Sequence, residues 1–253
     1  MSGGGSRMTP LGAVARGVVA GAFGTLGFLT EVTFKVLPKP ETEVTLALHG
    51  LADARAIEAL SAGLGSPFEI SGAAHLPAGL GGGNARTLLR IEGFASAIAY
   101  RGRALADALR PFGSGEFIAA DASRNLWRSI RDATLLAEPR SRAVWRISVA
   151  PTRGPLLAEN IRAGVDASWF YDWGGGLVWL ACSAASDAGA GVVHDAARKA
   201  GGHATLVRAP ETVRASVDVF QPQTEAVIRL SRRIKESFDP AGVFEPGRMY
   251  AGM

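Results

Sequence analysis

The sequence has a single cysteine, Cys182, which excludes an intrachain disulfide and any cysteine-built zinc or iron–sulfur centre. One thiol among 253 residues suits a reducing compartment, so a cytoplasmic protein is the expectation, free or held at a membrane through partner subunits. Lysine is scarce as well, confined to Lys35, Lys39, Lys199 and Lys235. The net charge of +4 and the pI of 9.6 therefore come from arginines scattered along the chain, of which Arg232 and Arg233 alone are adjacent. Nucleic-acid binders gather basic residues into a stripe with aromatics between them, and no such run occurs; this speaks against a nucleic-acid partner. Long hydrophobic runs are missing as well. The uncharged stretch 17–30 has 14 residues, short of the ~20 that a membrane-spanning helix needs. No cleavage-site pattern followed by polar sequence comes after it, so a secretory signal is not expected either. None of His49, His75, His194 and His203 stands two or four positions from another, so no metal site is expected. No Gly-x-Ser-x-Gly elbow supports serine catalysis.

What is present is a regular exchange of strand and helix patterns. Residues 1–10 read as a flexible leader. Residues 30–37 alternate polar and apolar through Val32, Phe34 and Val36 and stop at Pro38 and Pro40, which predicts a half-buried strand and a boundary near residue 40. Beyond it, strands are expected over 42–48, 67–72, 86–92, 144–149, 167–171, 177–182 and 203–208. Helices are expected over 52–64, 96–109, 122–131, 156–163 and 188–200, with Asp121 as an N-cap. The succession argues for an α+β fold: antiparallel sheet with helices on one face, built from two ferredoxin-like halves. Val227, Leu230, Ile234 and Phe238 are spaced 3, 4 and 4, one apolar stripe of a last helix that Pro240 ends. The proline- and glycine-rich tail after it is expected to be docked.

Few residues point to chemistry on their own. Gly21, Gly24 and Gly27 stand at steps of three just before the expected strand. Such spacing lets backbone amides approach a flat or anionic ligand, although on its own a tight turn before a strand is the better explanation. Arg146 and Arg208, each on or beside a strand, have the planar fork that clamps a carboxylate, against an ordinary salt-bridge role. Trp145, Trp173 and Trp179 can wall a ligand or fill a core. His203, after Gly201 and Gly202, is the one histidine weighed as functional, against a plain structural role.

A resemblance adds to this reading. Gly24-Thr-Leu-Gly-Phe-Leu-Thr-Glu-Val-Thr-Phe-Lys-Val-Leu-Pro38 resembles the end of the flavin domain in FAD-linked oxidases of the vanillyl-alcohol oxidase type. Ile234-Lys-Glu-Ser-Phe-Asp-Pro-Ala-Gly-Val-Phe-Glu-Pro-Gly-Arg-Met-Tyr250 resembles their C-terminal signature. Between them, Leu126-Trp-Arg128, Val144-Trp-Arg-Ile-Ser-Val149, Tyr171-Asp-Trp-Gly-Gly-Gly176 and Gly201-Gly-His-Ala-Thr-Leu206 are similar to the smaller flavin subunit of bacterial glycolate oxidases. The resemblance implies an FAD cofactor touched by Gly24, Thr25, Gly27, Phe28 and Leu29. It further implies a small 2-hydroxy acid such as glycolate as substrate, and a larger flavin subunit and an iron–sulfur subunit as partners. It divides the chain into residues 11–40, the closing remnant of an FAD-binding domain; 41–220, a substrate or cap domain; and 221–253, a last helix and docked tail. Most of the FAD-binding domain is expected to lie outside this sequence, and Glu245 stands where the family has Asn. No residue is singled out as a catalytic base. Two readings stay open: a component of an FAD-dependent 2-hydroxyacid oxidase, or a non-catalytic assembly or ligand-binding module derived from one.

Overall fold

The computed structural model describes residues 19–36, 38–80 and 83–251. They divide into a larger unit, residues 38–221, and a smaller one made of the described residues before 37 together with those from Pro222 onward.

The larger unit is one eight-stranded antiparallel sheet. Its first half runs β1 (Thr42–His49), α1 (Asp53–Leu64), β2 (Ile70–Leu76), β3 (Arg86–Gly93), α2 (Ala95–Ala108), β4 (Gly115–Ala119), followed by an added helix, α3 (Ala120–Arg131). The second half runs β5 (Arg142–Ser148), α4 (Gly154–Arg162), β6 (Ala167–Asp172), β7 (Leu177–Ser183), α5 (Ala190–Lys199), β8 (His203–Arg208), with a short α6 (Glu211–Ser216) after it. The strand order is β4-β1-β3-β2-β6-β7-β5-β8. Each half is thus a β-α-β-β-α-β unit of the ferredoxin-like kind, the second laid down in reverse order so that β2 meets β6.

Alternation within the strands decides which side chain enters which layer. Leu46, Leu89, Trp145 and Leu180 face α1, α2, α4 and α5, where Ile57, Leu60, Leu105, Ile161 and Val193 complete the main core. The opposite pleat carries Ala47, Leu88, Phe170 and Ala181, and there α3 adds Trp127 and Ile130 as a second, smaller core. The sequence predicts helices on one face; four of them lie there, and α3 lies on the other. A polar chain pins it. The Trp127 indole donates to the Thr45 hydroxyl (2.7 Å), Thr45 donates to Ser123 (2.8 Å), and Ser123 donates to Glu43 (2.6 Å).

The seam between the halves is thin in backbone terms, a ladder contact of His75 with Tyr171. Side chains reinforce it. Asp53, at the start of α1, accepts from Tyr171 (2.7 Å) and Trp169 (2.9 Å) of β6 at one oxygen. Its other oxygen accepts from Nε2 of the buried His75 (3.3 Å), whose Nδ1 lies 2.9 Å from the Thr87 hydroxyl. Burial is the largest influence on the Asp53 carboxyl and disfavours its charge, but the three donors together outweigh it and hold it below the usual carboxylate range. Burial, reinforced by the Asp53 charge, pushes the Tyr171 phenol up.

Three expectations need correcting. Residues 30–36 form no strand: they join no ladder, and Val32, Phe34 and Val36 are exposed. Alternation sets up a strand, but only a neighbouring edge makes one. Leu37 lies outside the described residues. The strand expected over 67–72 is β2, displaced toward residue 76. Asp121 does not cap α3: the cap position is Ala119, and Asp121 lies in the first turn, paired with Arg124. There its charge favours the helix N-terminus without satisfying a terminal amide. Two elements, β4 and the short α6, were not anticipated. The edge strand β4 is short and largely exposed, with little apolar pattern to betray it. The N-terminus of α5 is held by Asp187, which accepts the amides of Gly189 (2.9 Å) and Gly191 (3.2 Å). Gly202 has to be glycine, since a Cβ there would stand 2.3 Å from the Ser148 carbonyl oxygen. No helix among the described residues is long and apolar enough to cross a membrane.

Candidate functional site

In the smaller unit, the amino-terminal turns are fastened to the tail. Its helix is α7 (Glu225–Phe238), with Thr224 at the cap position. Lys235 points inward from α7 and donates to the carbonyls of Thr25 (2.7 Å) and Phe244 (2.7 Å) and to the Asp239 carboxylate. Asp239 in turn accepts the amides of Val243 (2.9 Å) and Phe244 (2.9 Å). The Lys235 ammonium, with those amides, holds the Asp239 carboxyl down to about 2. A buried ammonium with three acceptors is satisfied where an unpaired one would be expelled. The expected stripe on α7 is mostly outward: Val227, Leu230 and Phe238 are exposed.

The five residues expected at a flavin take different positions around this clamp. Thr25 is buried, its hydroxyl donating to the Ala22 carbonyl (2.7 Å) and its own carbonyl taken by Lys235. Gly24 adopts φ +80°, and a Cβ on it would meet only Glu245, at 3.8 Å. Gly27 has nothing within 4 Å of such an atom. Phe28 and Leu29 are exposed, Phe28 by 82%. A cavity of about 270 Å³ beside the clamp is lined by Thr25, Leu26, Lys235 and Tyr250 among others; of the five it includes Thr25 alone.

The larger unit holds the more chemical surface. On the pleat that α3 covers only in part, a basin of about 690 Å³ opens over β3, β2, β6, β7 and β5. Arg146 rises from its floor, with its guanidinium 5.1 Å from the centre of the Trp173 ring and its backbone paired with Trp179. No carboxylate is bonded to Arg146 among the described residues. At the other end Arg90 lies over Trp127 (5.0 Å) and is tied to Ser71 and Glu92. Asp172 accepts the Trp173 amide (2.7 Å), and burial, only partly opposed by that bond and the Arg90 charge, pushes its carboxyl up. Trp173 has φ +52° and is 59% exposed. An aromatic residue held left-handed and uncovered stores strain of order 1 kcal/mol, and the packed glycines after it leave no room to relax: a Cβ on Gly175 would stand 2.6 Å from Ile57.

The other candidates separate clearly. Arg208 is spent on the carbonyls of Leu136 (3.0 Å), Ala137 (2.6 Å) and Arg142 (3.3 Å), a structural role. Trp145 is core, its indole bonded to the Ala188 carbonyl. His203 is exposed at the start of β8, opposite Ser148 and on the pleat that also carries Arg146. It lines no part of the basin.

No protein-family model matches the chain. Among curated proteins, it is 30% identical over 234 residues to the glycolate oxidase subunit GlcE of Escherichia coli (strain K12), and that alignment takes in 92% of the chain. The chain is similar to GlcE over most of its own length. It spans 56% of that relative's length. Solved structures agree on the fold. An alkyldihydroxyacetonephosphate synthase matches with a TM-score of 0.58 at 14% identity, over 88% of this chain and 47% of that one. A p-cresol methylhydroxylase matches with a TM-score of 0.57 at 14% identity, over 85% and 54%. A 4-ethylphenol oxidase from Gulosibacter chungangensis matches with 0.52 at 14%, over 85% and 55%.

The GlcE-like segments acquire a common meaning in the fold. Residues 126–128 lie on α3, 144–149 on β5 and 171–176 at the β6–β7 turn, and each sends side chains to the basin: Trp127 and Arg128, Arg146, Asp172 and Trp173. The remaining segment, 201–206, leads into β8 beside them. Reading the sequence alone did not single out Asp172, Arg90 or Lys235. The lysine's signal was in view, since it is one of four and stands four residues before the aspartate that it binds.

Proposed function

We propose that the chain is the substrate-side part of an FAD-dependent 2-hydroxyacid oxidase of the glycolate oxidase type, working with a larger flavin subunit and passing electrons to an iron–sulfur partner. The observation that carries this reading is that three of the four segments similar to the glycolate oxidase subunit line one basin, which holds Arg146. A guanidinium without a carboxylate partner, walled by Trp173 and Trp179 on an open sheet face, suits the carboxylate of a small acid. Asp172, with its carboxyl pushed up, stands in the same basin as an acceptor for the acid's hydroxyl.

The residues present fit a flavin in part. Gly24 and Gly27 offer backbone clear of side chains, and Phe28 and Leu29 offer exposed apolar surface to a flat ring, whereas Thr25 is turned inward and already bonded. In this reading those four positions line one edge of FAD, and its other contacts come from elsewhere in the assembled oxidase. When bound, the flavin accepts the hydride from the acid's α-carbon. The chain's own part is to hold the carboxylate at Arg146 and to orient the hydroxyl.

Calorimetric titration of the purified chain with glycolate and lactate tests the reading. Binding is expected, and Arg146→Gln should weaken it about 10- to 100-fold, as loss of a hydrogen bond to a charged group of about 1.5–3 kcal/mol requires. Equal affinity in the two proteins, or none in either, overturns it. The second reading, an assembly module, would then take its place. It draws on the exposed, unpaired run of Val32, Phe34 and Val36, an edge that another chain can complete.

A further inference from the structure

We propose that the acid held at Arg146 is a dianion, and that its second anionic group is taken by Arg128 of α3. The inference rests on the oxidase reading and adds to it the charge class of the substrate. The basin of about 690 Å³ falls in the range, roughly 300–1,000 Å³, that encloses drug-sized ligands. Glycolate or lactate would leave most of it to water. Its lining is also one-sided in charge: five arginines face two carboxylates, Glu43 and Asp172. Glu43 is buried and already accepts from Ser123 (2.6 Å).

Three of the arginines are answered within the chain. Arg90 pairs with Glu92 (3.1 Å) and donates to Ser71 (3.1 Å). Arg124 pairs with Asp121 (2.5 Å), and Arg131 grips both oxygens of Asp132 (2.7 and 2.9 Å). Arg128 stands between Arg124 and Arg131 on the same face of α3, at steps of four and three. Its side chain donates only to the neutral Asn125 amide, 3.1 Å away. A solvated helix face accounts for the outer two, each closed by a neighbouring aspartate. The middle one is left open to the basin. Among the described residues, neither Arg128 nor Arg146 is bonded to a carboxylate.

These two guanidiniums belong to opposite ends of the floor. α3 is pinned over β1 through Thr45, whereas Arg146 rises from β5. From β3 to β5 the sheet takes four strand-to-strand steps of ~4.8 Å, roughly 19 Å in all. On a floor of that width, a ligand with an anionic group at each end answers both arginines, and glycolate answers one. A second carboxylate and a phosphate ester share the chemistry that an arginine fork receives.

Calorimetric titrations of the purified full chain test the proposal. Malate, 2-hydroxyglutarate and 2-hydroxyadipate are each compared with the 2-hydroxy monocarboxylate of equal carbon number, and 3-phosphoglycerate with glycerate. In at least one pair the ligand with the added anionic group should bind about fivefold more tightly, the upper end for an exposed ion pair. The pair that shows it tells a carboxylate from a phosphate. Arg128→Gln should bring that ratio to about one. Arg131→Gln, at an arginine already closed by Asp132, should keep it. Both are exposed helix positions, and glutamine is a good helix former, so both variants should fold. If glycolate binds and no pair shows a preference, this proposal is overturned and the oxidase reading stands. Loss of the preference in Arg131→Gln as complete as in Arg128→Gln overturns it too, since a diffuse positive field would then suffice. If no acid of the series binds, both readings fall.

Discussion

The two halves of the sheet share one topology and differ in what covers them. In the first, α3 closes the second face with Trp127 and Ile130 and is pinned by the chain from Trp127 through Thr45 and Ser123 to Glu43. In the second, the corresponding floor is open, and the residues on it are Arg146, Trp179 and the uncovered Trp173. A tryptophan therefore does opposite work in the two halves. Trp127 is enclosed and stabilises; Trp173 is exposed and held in a conformation that costs stability. A repeated fold can thus have one copy's second face sealed by a helix and the other's left open.

That contrast can be broken by substitution. The largest effect is expected from Trp127→Ala, which empties the covered half and orphans Thr45; it should destabilise the chain by about 3–5 kcal/mol in urea unfolding. Asp53→Asn attacks the seam that the halves share. With the charge gone, the donors of Tyr171, Trp169 and His75 bind a weaker acceptor, and a loss of about 2–3 kcal/mol should appear in the same experiment. The sign of the pH dependence follows. Because the folded Asp53 carboxyl lies below its usual range, its contribution is complete above the unfolded value of about 4 and is lost as pH falls through the folded one. The variant's deficit should therefore shrink in acid unfolding series and stay constant above about pH 5. Trp173→Gly is the smallest and the most diagnostic. Relief of a left-handed tryptophan should leave stability unchanged or raise it by up to about 1 kcal/mol, while 2-hydroxyacid binding weakens measurably by calorimetry. A large loss of stability there would mean that Trp173 belongs to the scaffold after all.

How far the sequence could be read depended on whether a signal was local. Strands with both pleats buried and helices with one apolar face were visible in β1, α1, α2 and β7, and the two ferredoxin-like halves followed from their succession. The strand expected over 30–37 was misread because alternation says nothing about whether a neighbouring edge exists. β4 escaped because an exposed edge strand needs little apolar pattern. At the site, Arg146 and Trp173 were visible as residue types, but nothing local distinguished Arg146 from Arg208. The difference is what each guanidinium meets: three backbone carbonyls for Arg208, an open basin for Arg146. Asp172 and Arg90 were silent for the same reason, since their roles arise where five strands are brought side by side.

The Lys235 ammonium also has a consequence for the order in which the protein is made. It binds the carbonyl of a residue 210 positions earlier in the chain. At about 5–20 residues per second, a ribosome that has finished Thr25 needs about 10–40 s more before Lys235 exists. Throughout that interval the larger unit can assemble strand by strand, while the amino-terminal turn waits with its carbonyl unclaimed. Nascent chains that stop short of Lys235 would accordingly carry the larger unit's sheet and a Thr25 turn still without its clamp.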